Sequence, residues 1–514
     1  MSIPPQATLP ELSPAAVPGQ SGAARSAPGL FTRILNGAIF FFLCLFAILL
    51  PHSIKGSQHA WQIAFLCWLA TLAIARRRPF PQPLSAPLLA FVTLTGVSTL
   101  LSPDPILSWD RMKIVCLVLV GIVFAQNLHR LRQVRVVVYL LIASGVAAAG
   151  FTAWQYSHGV GVKVEYTTGG PPIWQAHIFP DDIIASVDGR SVHTPADLER
   201  VIDGVPANKL LRIEYLRGAP FHPKETFLTR EDFVKSGMGT PSLQLTRARP
   251  EKAQGTLGHY VNFAVVMMQI ACMAWAMLLA SDTRRRGLRL LLALAFAAIT
   301  AALFLTEVRA ALAGLALGGF VSILMLAGRR SRLWAAAALA VLVLAALLWI
   351  RGTRGPHWMG THDAGTSFRE MMWEDAPRLI RMHPWFGLGM ETIRNHWMEW
   401  HIHAYSYFHD ESHFHNDLIQ IAVERGLPAL AAWVWFVIAY FVFLIRLVGR
   451  VRKRSRFAAG VATGVLAGFL AYQLTAVVHY NLGIEPVALA LYFYFGLAIA
   501  LDRMLQTPEA SDVP

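Results

Sequence analysis

The amino-acid sequence predicts an all-α polytopic membrane protein with about twelve transmembrane helices. Of its 514 residues, 55% are hydrophobic and only 15% are charged, a balance that soluble proteins of this length do not have. Apolar runs close to the ~20 residues that span a bilayer recur along the chain. They lie at residues 34–50, 60–75, 84–101, 112–127, 136–154, 257–280, 288–305, 310–327, 333–350, 428–446, 457–478 and 486–502.

Basic clusters set the predicted orientation. They follow the second, fourth, sixth, eighth and tenth apolar runs, at residues 76–78, 129–135, 284–289, 329–332 and 446–456. Because Lys and Arg gather in cytoplasmic loops, both termini are predicted to be cytoplasmic. Two large loops, residues 155–256 and 351–416, then lie on the outer face, which in a bacterial inner membrane is the periplasm.

Composition also narrows the functional classes. The net charge of +14 is explained by Arg-rich cytoplasmic loops, and no soluble segment carries the basic face that nucleic-acid binding needs. All cysteines lie inside apolar runs and are predicted to be small buried hydrophobes. Residues 1–30 lack a signal-peptide pattern and are predicted to be a disordered cytoplasmic tail.

The chemically most distinctive stretch covers residues 412–420 and places His415 and Asn416 directly before an apolar helix. Ionisable groups at a membrane edge are costly, so they usually mark chemistry or a transport path. Imidazole is well suited to moving a proton near neutral pH. We therefore expect His415 to act as a general base, with His413 and Asn416 in the binding site. Asn416 and Asp417 can equally cap the following helix.

Two arginines are the other catalytic candidates. Arg309 lies in a tight turn between two apolar runs, beside Glu307, and is either functional or a snorkelling residue. Arg369 begins an amphipathic stretch that also contains Trp373 and Arg378. A guanidinium fork suits phosphate oxygens, although Arg369 could also be only a solvated face. Glu307, Trp373 and Arg378 are further candidates for substrate binding.

Two further features bear on the binding site and on whether it holds a cofactor. The stretch 383–390 is turn-rich, and Gly387 and Gly389 permit close backbone approach within the binding site. A run of histidines could in principle bind zinc, but no cysteine joins it and its spacing fits no compact helical ligand motif. We therefore expect neither a metal nor another cofactor. The histidines in question are His401, His403, His409, His413 and His415.

No nucleotide-binding motif of the Gly-x4-Gly-Lys-Ser/Thr type occurs. A reaction on the outer face without ATP needs a substrate that arrives already activated. Arginines can hold a diphosphate and neutralise the charge of the leaving group, while a histidine takes a proton from an attacking hydroxyl. These residue types outline the transfer of a glycan from a lipid diphosphate.

Several motifs match a known pattern. They are His415-Asn416-x-x-x-Gln420 with Glu424-x-Gly426, Thr306-x-x-Arg309-Ala310, Ser367-x-Arg369-x-x-x-Trp373 with His383-Pro384-x-x-Gly387-x-Gly389, and the hairpin at 478–481. On these motifs the chain resembles the O-antigen ligase / O-antigen polymerase superfamily over roughly residues 255–505, including the loop at 351–416. The helices within residues 31–156 match by topology alone.

The resemblance implies a GT-C-like fold and an undecaprenyl-diphosphate-linked glycan as the donor. Ligases of this superfamily pass the glycan to a lipid A-core sugar, polymerases to another repeat unit, and oligosaccharyltransferases to a protein hydroxyl. The essential arginines and histidine map onto Arg309, Arg369 and His415. Val308 replaces the usual small polar residue, and the long insertion after the fifth run is atypical. Ligation to lipid A-core is the first expectation, with the other acceptors as alternatives.

The insertion, residues 157–240, resembles a bacterial PDZ domain. Residues 183–187 alternate as a strand does, Asp188-Gly189 is a tight-turn signal, and Pro195 begins a helix. Residues 210–216 alternate again. A PDZ-like α/β insert implies a peptide or protein partner bound by strand addition, and a generic small α/β insert is the alternative.

Two other functional classes remain as alternatives. A transporter of lipid-linked glycans should bury ionisable residues in the middle of its helices, and the apolar runs here are nearly free of them. A membrane-tethered PDZ scaffold would not need so many helices or the His-Asn loop. An enzyme that acts on lipid-linked substrates among membrane lipids is therefore favoured.

Overall fold

The computed structural model describes residues 30–75, 79–80, 83–167, 171–217, 222–240, 243–248, 252–326, 328, 364–406 and 413–506, with scattered positions between 333 and 348. The predicted tail lies outside the described residues except for Leu30. Most of the predicted span at 333–350, the first part of the loop at 351–416 and His409 also lie outside them.

The N-terminal half begins with six helices that largely follow the predicted apolar runs. They are α1 Leu30–Leu49, α2 Ile54–Ala75, α3 Ser85–Leu100, α4 Pro105–Val115, α5 Val118–Asn127 and α6 Leu131–His158. The predicted span at 112–127 is instead divided between α4 and α5. Cys116 lies at this break and is exposed, contrary to the prediction, whereas Cys272 is buried.

The C-terminal half contains the predicted catalytic region. Its helices are α10 Tyr260–Ala280, α11 Arg286–Phe304, α12 Arg309–Leu326, α13 Ala364–Met382, the short α14 Ile393–His396, α15 Asp417–Val451, α16 Arg456–Ala476 and α17 Glu485–Gln506. Helices α10, α12 and α16 pack closely together. Small residues at their contacts, such as Gly314 and Gly318, let the backbones approach.

Eight helices in the described part of the chain are long and apolar enough to cross a membrane, namely α1, α6, α10, α11, α12, α15, α16 and α17. The apolar helix α3 is shorter, with 16 residues. The protein is therefore a polytopic helical membrane protein. The predicted number of spans is not confirmed, because the run at 112–127 is broken and the run at 333–350 falls mostly outside the described residues.

Between α6 and α10 lies an antiparallel sheet. Its elements are β1 Gly161–Thr167, α7 Pro171–Gln175, β2 Ile183–Val187, β3 Arg190–Ser191, α8 Pro195–Asp203, β4 Leu210–Arg217, β5 His222–Thr229, α9 Arg230–Lys235 and β6 Leu243–Ala248. The strand order is β5-β4-β2-β1-β6, and β3 pairs with β2.

The sheet has a hydrophobic core of its own, which includes Val162, Ile184, Leu198 and Ile213. The predicted strands, turn and helix correspond to β2, β4, the turn at Asp188 and α8. The last strand, β6, lies beyond the predicted boundary at residue 240 and pairs with β1 along its length. The start of β1 and the end of β6 therefore lie next to each other at one edge of the sheet.

Candidate functional site

The turn that precedes α15 carries the two central histidines. The ring centroids of His413 and His415 lie 4.4 Å apart, and the ring of Phe368 meets that of His415 edge-on at 5.7 Å. His415 has a φ of 51°, a conformation that side chains other than glycine adopt at a cost and that often occurs at functional sites. The turn therefore holds His415 in an uncommon backbone conformation.

The helix α13 brings Arg369 to this turn. Its apolar face, with Phe368, Met372 and Leu379, is buried, as the amphipathic pattern predicts. Trp373 Nε1 donates a hydrogen bond of 2.8 Å to the carbonyl of Phe414. The helix that carries Arg369 is thus tied to the residue directly before His415.

Asn416 holds two elements together. Its Oδ1 accepts hydrogen bonds from the backbone of Leu418 and Ile419, at 2.9 and 3.0 Å, so it caps α15. Its Nδ2 donates to the carbonyl of Val477, at 2.9 Å. The capping alternative is therefore observed, and the same side chain also fixes the turn between α16 and α17.

That turn brings in His479, which was not among the predicted site residues. Burial, and then the charges of Arg369, His415, His259 and His413, together lower the pKa of His479 to about 3. The imidazole of His479 is therefore neutral at physiological pH. Arg369, His413 and His415 are thus near enough to the buried His479 to act on its charge.

Tyr480 links the same turn to a polar group inside α15. Its hydroxyl donates to Glu424 Oε2 at 3.4 Å and accepts from Arg425 Nη2 at 3.1 Å. The ring of Tyr480 lies 5.8 Å from that of His413. Glu424 Oε1 also accepts from the backbone of Glu391 at 2.8 Å. Tyr480 therefore connects the histidine turn to the loop after α13.

Three ionisable residues of α15 are buried, whereas we expected the apolar runs to be nearly free of such residues. Asp417, Glu424 and Arg425 are at most 2% exposed. Asp417 accepts from Leu482 N at 3.0 Å and from the hydroxyl of Tyr472 at 3.2 Å. Because these side chains bind the turn after α16, they hold the site together. The sequence signal for them was the charged pair at 424–425, beside the apolar run that begins at 428.

The predicted binding residues Gly387 and Gly389 brace the kink in α15. Pro428 has no N–H for the carbonyl of Glu424, four residues earlier. That carbonyl instead accepts from Gly389 N at 2.8 Å and from Ser98 Oγ at 3.0 Å. Leu388 N donates to Val423 O at 2.9 Å. The turn-rich stretch thus supplies the hydrogen bonds that the kink removes.

The backbone geometry of this brace requires glycine. Gly387, Gly389 and Gly426 have φ values of 68°, 89° and 84°. A Cβ on Gly387 would collide with the backbone of Glu424, and one on Gly389 with the side chain of Ser102. The atoms closest to these glycines belong to the protein itself, so the glycines support the structure of the site.

Arg378 is also engaged by the protein. Its Nη1 donates to the carbonyl of Trp400 at 2.6 Å, and its Nη2 reaches the carbonyl of His401 at 3.0 Å and Asp375 Oδ1 at 2.9 Å. These contacts fasten the end of α13 to the loop that follows α14. Arg378 therefore supports the structure around the site through its contacts with the protein.

Arg309 and Glu307 lie on a separate element, the tight turn between α11 and α12. Arg309 is the first residue of α12 and is half-buried. Glu307 has a φ of 55°, and the hydroxyl of Thr306 closes the turn by accepting from Val308 N at 3.3 Å. The helix α12 packs along α16, which leads to His479. The two predicted arginines thus lie on different helices, Arg309 on α12 and Arg369 on α13.

Within the described part of the chain, no group of three or more His, Cys, Asp or Glu side chains has the arrangement of a metal site. His403 lies in a short 3-10 turn, His403–Ser406, and its backbone N–H donates to Asp375 Oδ2 at 2.8 Å. His401 accepts from Arg378 through its carbonyl. The backbones of His401 and His403 are thus both hydrogen-bonded to side chains of α13.

Comparison with known proteins adds independent evidence. The family model described as O-Antigen ligase matches residues 292–434. The matched segment contains Arg309, Arg369 and His415 and ends within α15. No curated protein matches the chain. The chain is therefore a membrane protein of which residues 292–434 match the O-antigen ligase family, and this match supports a membrane glycosyltransferase of the ligase or polymerase type.

Proposed function

We propose that this protein transfers a glycan from an undecaprenyl-diphosphate donor to a hydroxyl acceptor at the periplasmic face of the bacterial inner membrane. Ligation of O-antigen to lipid A-core is the reaction we propose first. The observation that carries the proposal is that the helix of Arg369 is tied through Trp373 to the turn on which His413 and His415 lie 4.4 Å apart. This arrangement supports the assignment of a proton acceptor and a phosphate-binding guanidinium to one site.

The proposed reaction needs one proton acceptor and one site for the leaving group. The hydroxyl oxygen of the acceptor attacks the anomeric carbon of the donor sugar, and His415 takes the hydroxyl proton. The bond from the anomeric carbon to the diphosphate oxygen breaks, and undecaprenyl diphosphate leaves. Arg369 and Arg309 bind the diphosphate and stabilise the charge that develops on it.

The remaining residues of the site position these groups. His413 packs against His415 and Tyr480, so it fixes the orientation of the imidazole. Asn416 and Trp373 hold the turn on either side. A neutral His479 adds polar atoms near Arg369 without a second positive charge. We assign Glu307 to the support of Arg309.

We propose twelve spans with cytoplasmic termini for the whole chain. The helix α15 begins at the histidine turn and ends near the basic stretch 446–456, so these two features lie at opposite ends of one span. On the basic side, Arg503 donates to the carbonyls of Gln126 and Leu128, at 3.2 and 2.6 Å. Under the positive-inside rule this side faces the cytoplasm and the site faces the periplasm.

Glycan polymerisation and transfer to a protein hydroxyl are alternatives that differ only in the acceptor. The direct test gives purified protein one undecaprenyl-diphosphate-linked glycan together with lipid A-core, a second repeat unit or a Ser/Thr peptide. We expect transfer to lipid A-core and no dependence on divalent ions. Transfer to another acceptor alone would replace ligation. Donor movement across the membrane with no transfer would favour the transporter.

We propose that the sheet β1–β6 is a PDZ-like unit that recruits a peptide or protein partner. Its own core and the return of β6 to β1 support a separate unit. In the test, a Gly/Ser linker replaces residues 161–248. We expect transfer to a simple hydroxyl acceptor to persist and transfer to the native acceptor to weaken. A variant that inserts normally yet transfers to no acceptor would place the sheet in the active site.

A further inference from the structure

A groove lies along α15 at the end opposite to the histidine turn. Its cavity of about 890 Å³ is bordered by α15, by the start of α3 and by Asp502 of α17. Most of its lining is apolar, including Trp435, Ile438 and Val442, which are 51%, 58% and 38% exposed. One side of α15 therefore offers an apolar trough that the described helices leave open.

The groove becomes basic at one end. Arg446 and Arg450 line it one helical turn apart, and both are exposed. Asp502 is buried and pairs with Arg450 at 2.5 Å, while its second oxygen accepts from Gln506 at 2.8 Å. Arg446 makes no ion pair with a carboxylate of the described residues, so its positive charge is available to a ligand in the groove.

The dimensions favour one leaflet of lipid as the occupant. Fifteen residue steps separate Trp435 from Arg450, which is roughly 22 Å along a helix. A hydrocarbon core is about 30 Å thick, so this length covers one leaflet and its headgroup region. A transmembrane helix from a partner would need a longer apolar contact. An apolar trough with a cationic end matches acyl chains joined to an anionic headgroup.

We propose that this groove is a binding site for an anionic glycerophospholipid, with the acyl chains along Trp435–Val442 and the phosphate at Arg446. The site is distinct from the histidine turn and does not depend on the identity of the glycan acceptor. Under the proposed orientation the lipid belongs to the cytoplasmic leaflet. Gly449 forms part of the floor, and a Cβ added there would meet open space.

The test uses the full-length protein in mixed nanodiscs that contain equal amounts of phosphatidylglycerol and phosphatidylcholine with the same acyl chains. Native mass spectrometry then measures which lipid stays bound. We expect the wild type to retain phosphatidylglycerol preferentially. Arg446→Gln should reduce that preference about fivefold, the size expected for one arginine near a membrane surface. Arg450 is unsuitable for this test, because its loss would leave Asp502 buried without its partner.

Gly449→Leu provides a second variant, because its side chain should fill the groove without disturbing the packing of α15. We expect it to lower the retention of both lipids. Gly287→Leu is the matched control, since a Cβ there also meets open space near the start of α11. Unchanged retention in both groove variants, or equal retention of the two lipids by the wild type, would overturn the proposal. Displacement of phosphatidylglycerol by undecaprenyl phosphate would also overturn it and assign the groove to the donor tail.

Discussion

The indole of Trp373 donates a hydrogen bond of 2.8 Å to the carbonyl of Phe414. This bond joins α13, which carries Arg369, to the turn that carries His415. The two residues are 41 positions apart in the chain, and the loop between them holds the contacts of Arg378 and the glycine brace. The relative position of the Arg369 guanidinium and the His415 imidazole therefore depends on a hydrogen bond between two residues that take no part in the proposed reaction.

Trp373→Phe removes this hydrogen bond and keeps most of the ring. A single hydrogen bond contributes about 1 kcal/mol, so we expect the transfer rate to fall by less than about tenfold and the Tm to fall slightly. Trp385→Phe is the control, because the side chain of Trp385 is 70% exposed. An unchanged rate for Trp373→Phe would show that the link does not position the site.

Arg309→Lys and Arg369→Lys test the binding of the diphosphate. Lysine keeps the charge but loses the planar fork. We expect the transfer rate to fall about tenfold to hundredfold in each variant at saturating acceptor. Arg381→Lys, on the exposed side of α13, should behave as the wild type. Normal turnover by both lysine variants would remove the guanidinium fork from the mechanism.

Gly387→Ala tests the brace behind the site. The left-handed backbone and the collision with Glu424 should together cost about 2–5 kcal/mol. We expect a lower Tm and less folded protein, with an unchanged KM for the donor in the fraction that folds. Gly287→Ala serves as the control in open space. A changed donor KM at unchanged Tm would instead indicate that Gly387 contacts the substrate.

His479 should make stability depend on pH. The pKa of His479 is about 3 in the folded protein, against an ordinary value of 6.5. Between these values the unfolded chain binds a proton that the folded protein does not, so stability falls as the pH drops below about 6.5. This contribution is at most about 2 kcal/mol at pH 5. We expect the Tm of His479→Gln to fall less between pH 7 and pH 5 than that of the wild type.

His158→Gln is the matched control for this measurement, because His158 is exposed at the end of α6. Its Tm should change with pH as the wild type does. The scans need one fixed heating rate, since membrane proteins often unfold irreversibly. Equal pH dependence in the wild type and His479→Gln would mean that the imidazole is solvated or protonated in the folded state.

Much of the fold follows from local patterns. The apolar runs locate most of the helices, and the alternation at 183–187 locates β2. The break between α4 and α5 was not predicted, because Cys116 and Leu117 are as apolar as their neighbours. The strand β6 was missed for a related reason: its pairing with β1 joins residues about 80 positions apart, and no local signal marks that partner.

In the candidate site, too, local patterns predicted some residues, and contacts between distant residues determine the others. His415 and Arg369 were predicted because charged and imidazole groups stand out beside apolar runs. The hairpin at 478–481 was recognised as a motif, but His479 and Tyr480 were not assigned to the site, since their position depends on Asn416 binding the carbonyl of Val477 across 61 residues. Gly387 was predicted to bind substrate because glycine signals close approach, but the sequence does not show that the approaching group is the backbone of α15.

The most direct test of the central proposal is the transfer assay with His415→Ala, using an undecaprenyl-diphosphate-linked glycan and lipid A-core. Loss of a general base typically lowers a rate by about 10²–10⁴-fold. We expect a loss of this size with donor binding retained, and a normal Tm, while His158→Ala transfers as the wild type does. Transfer by His415→Ala at the wild-type rate would contradict the account.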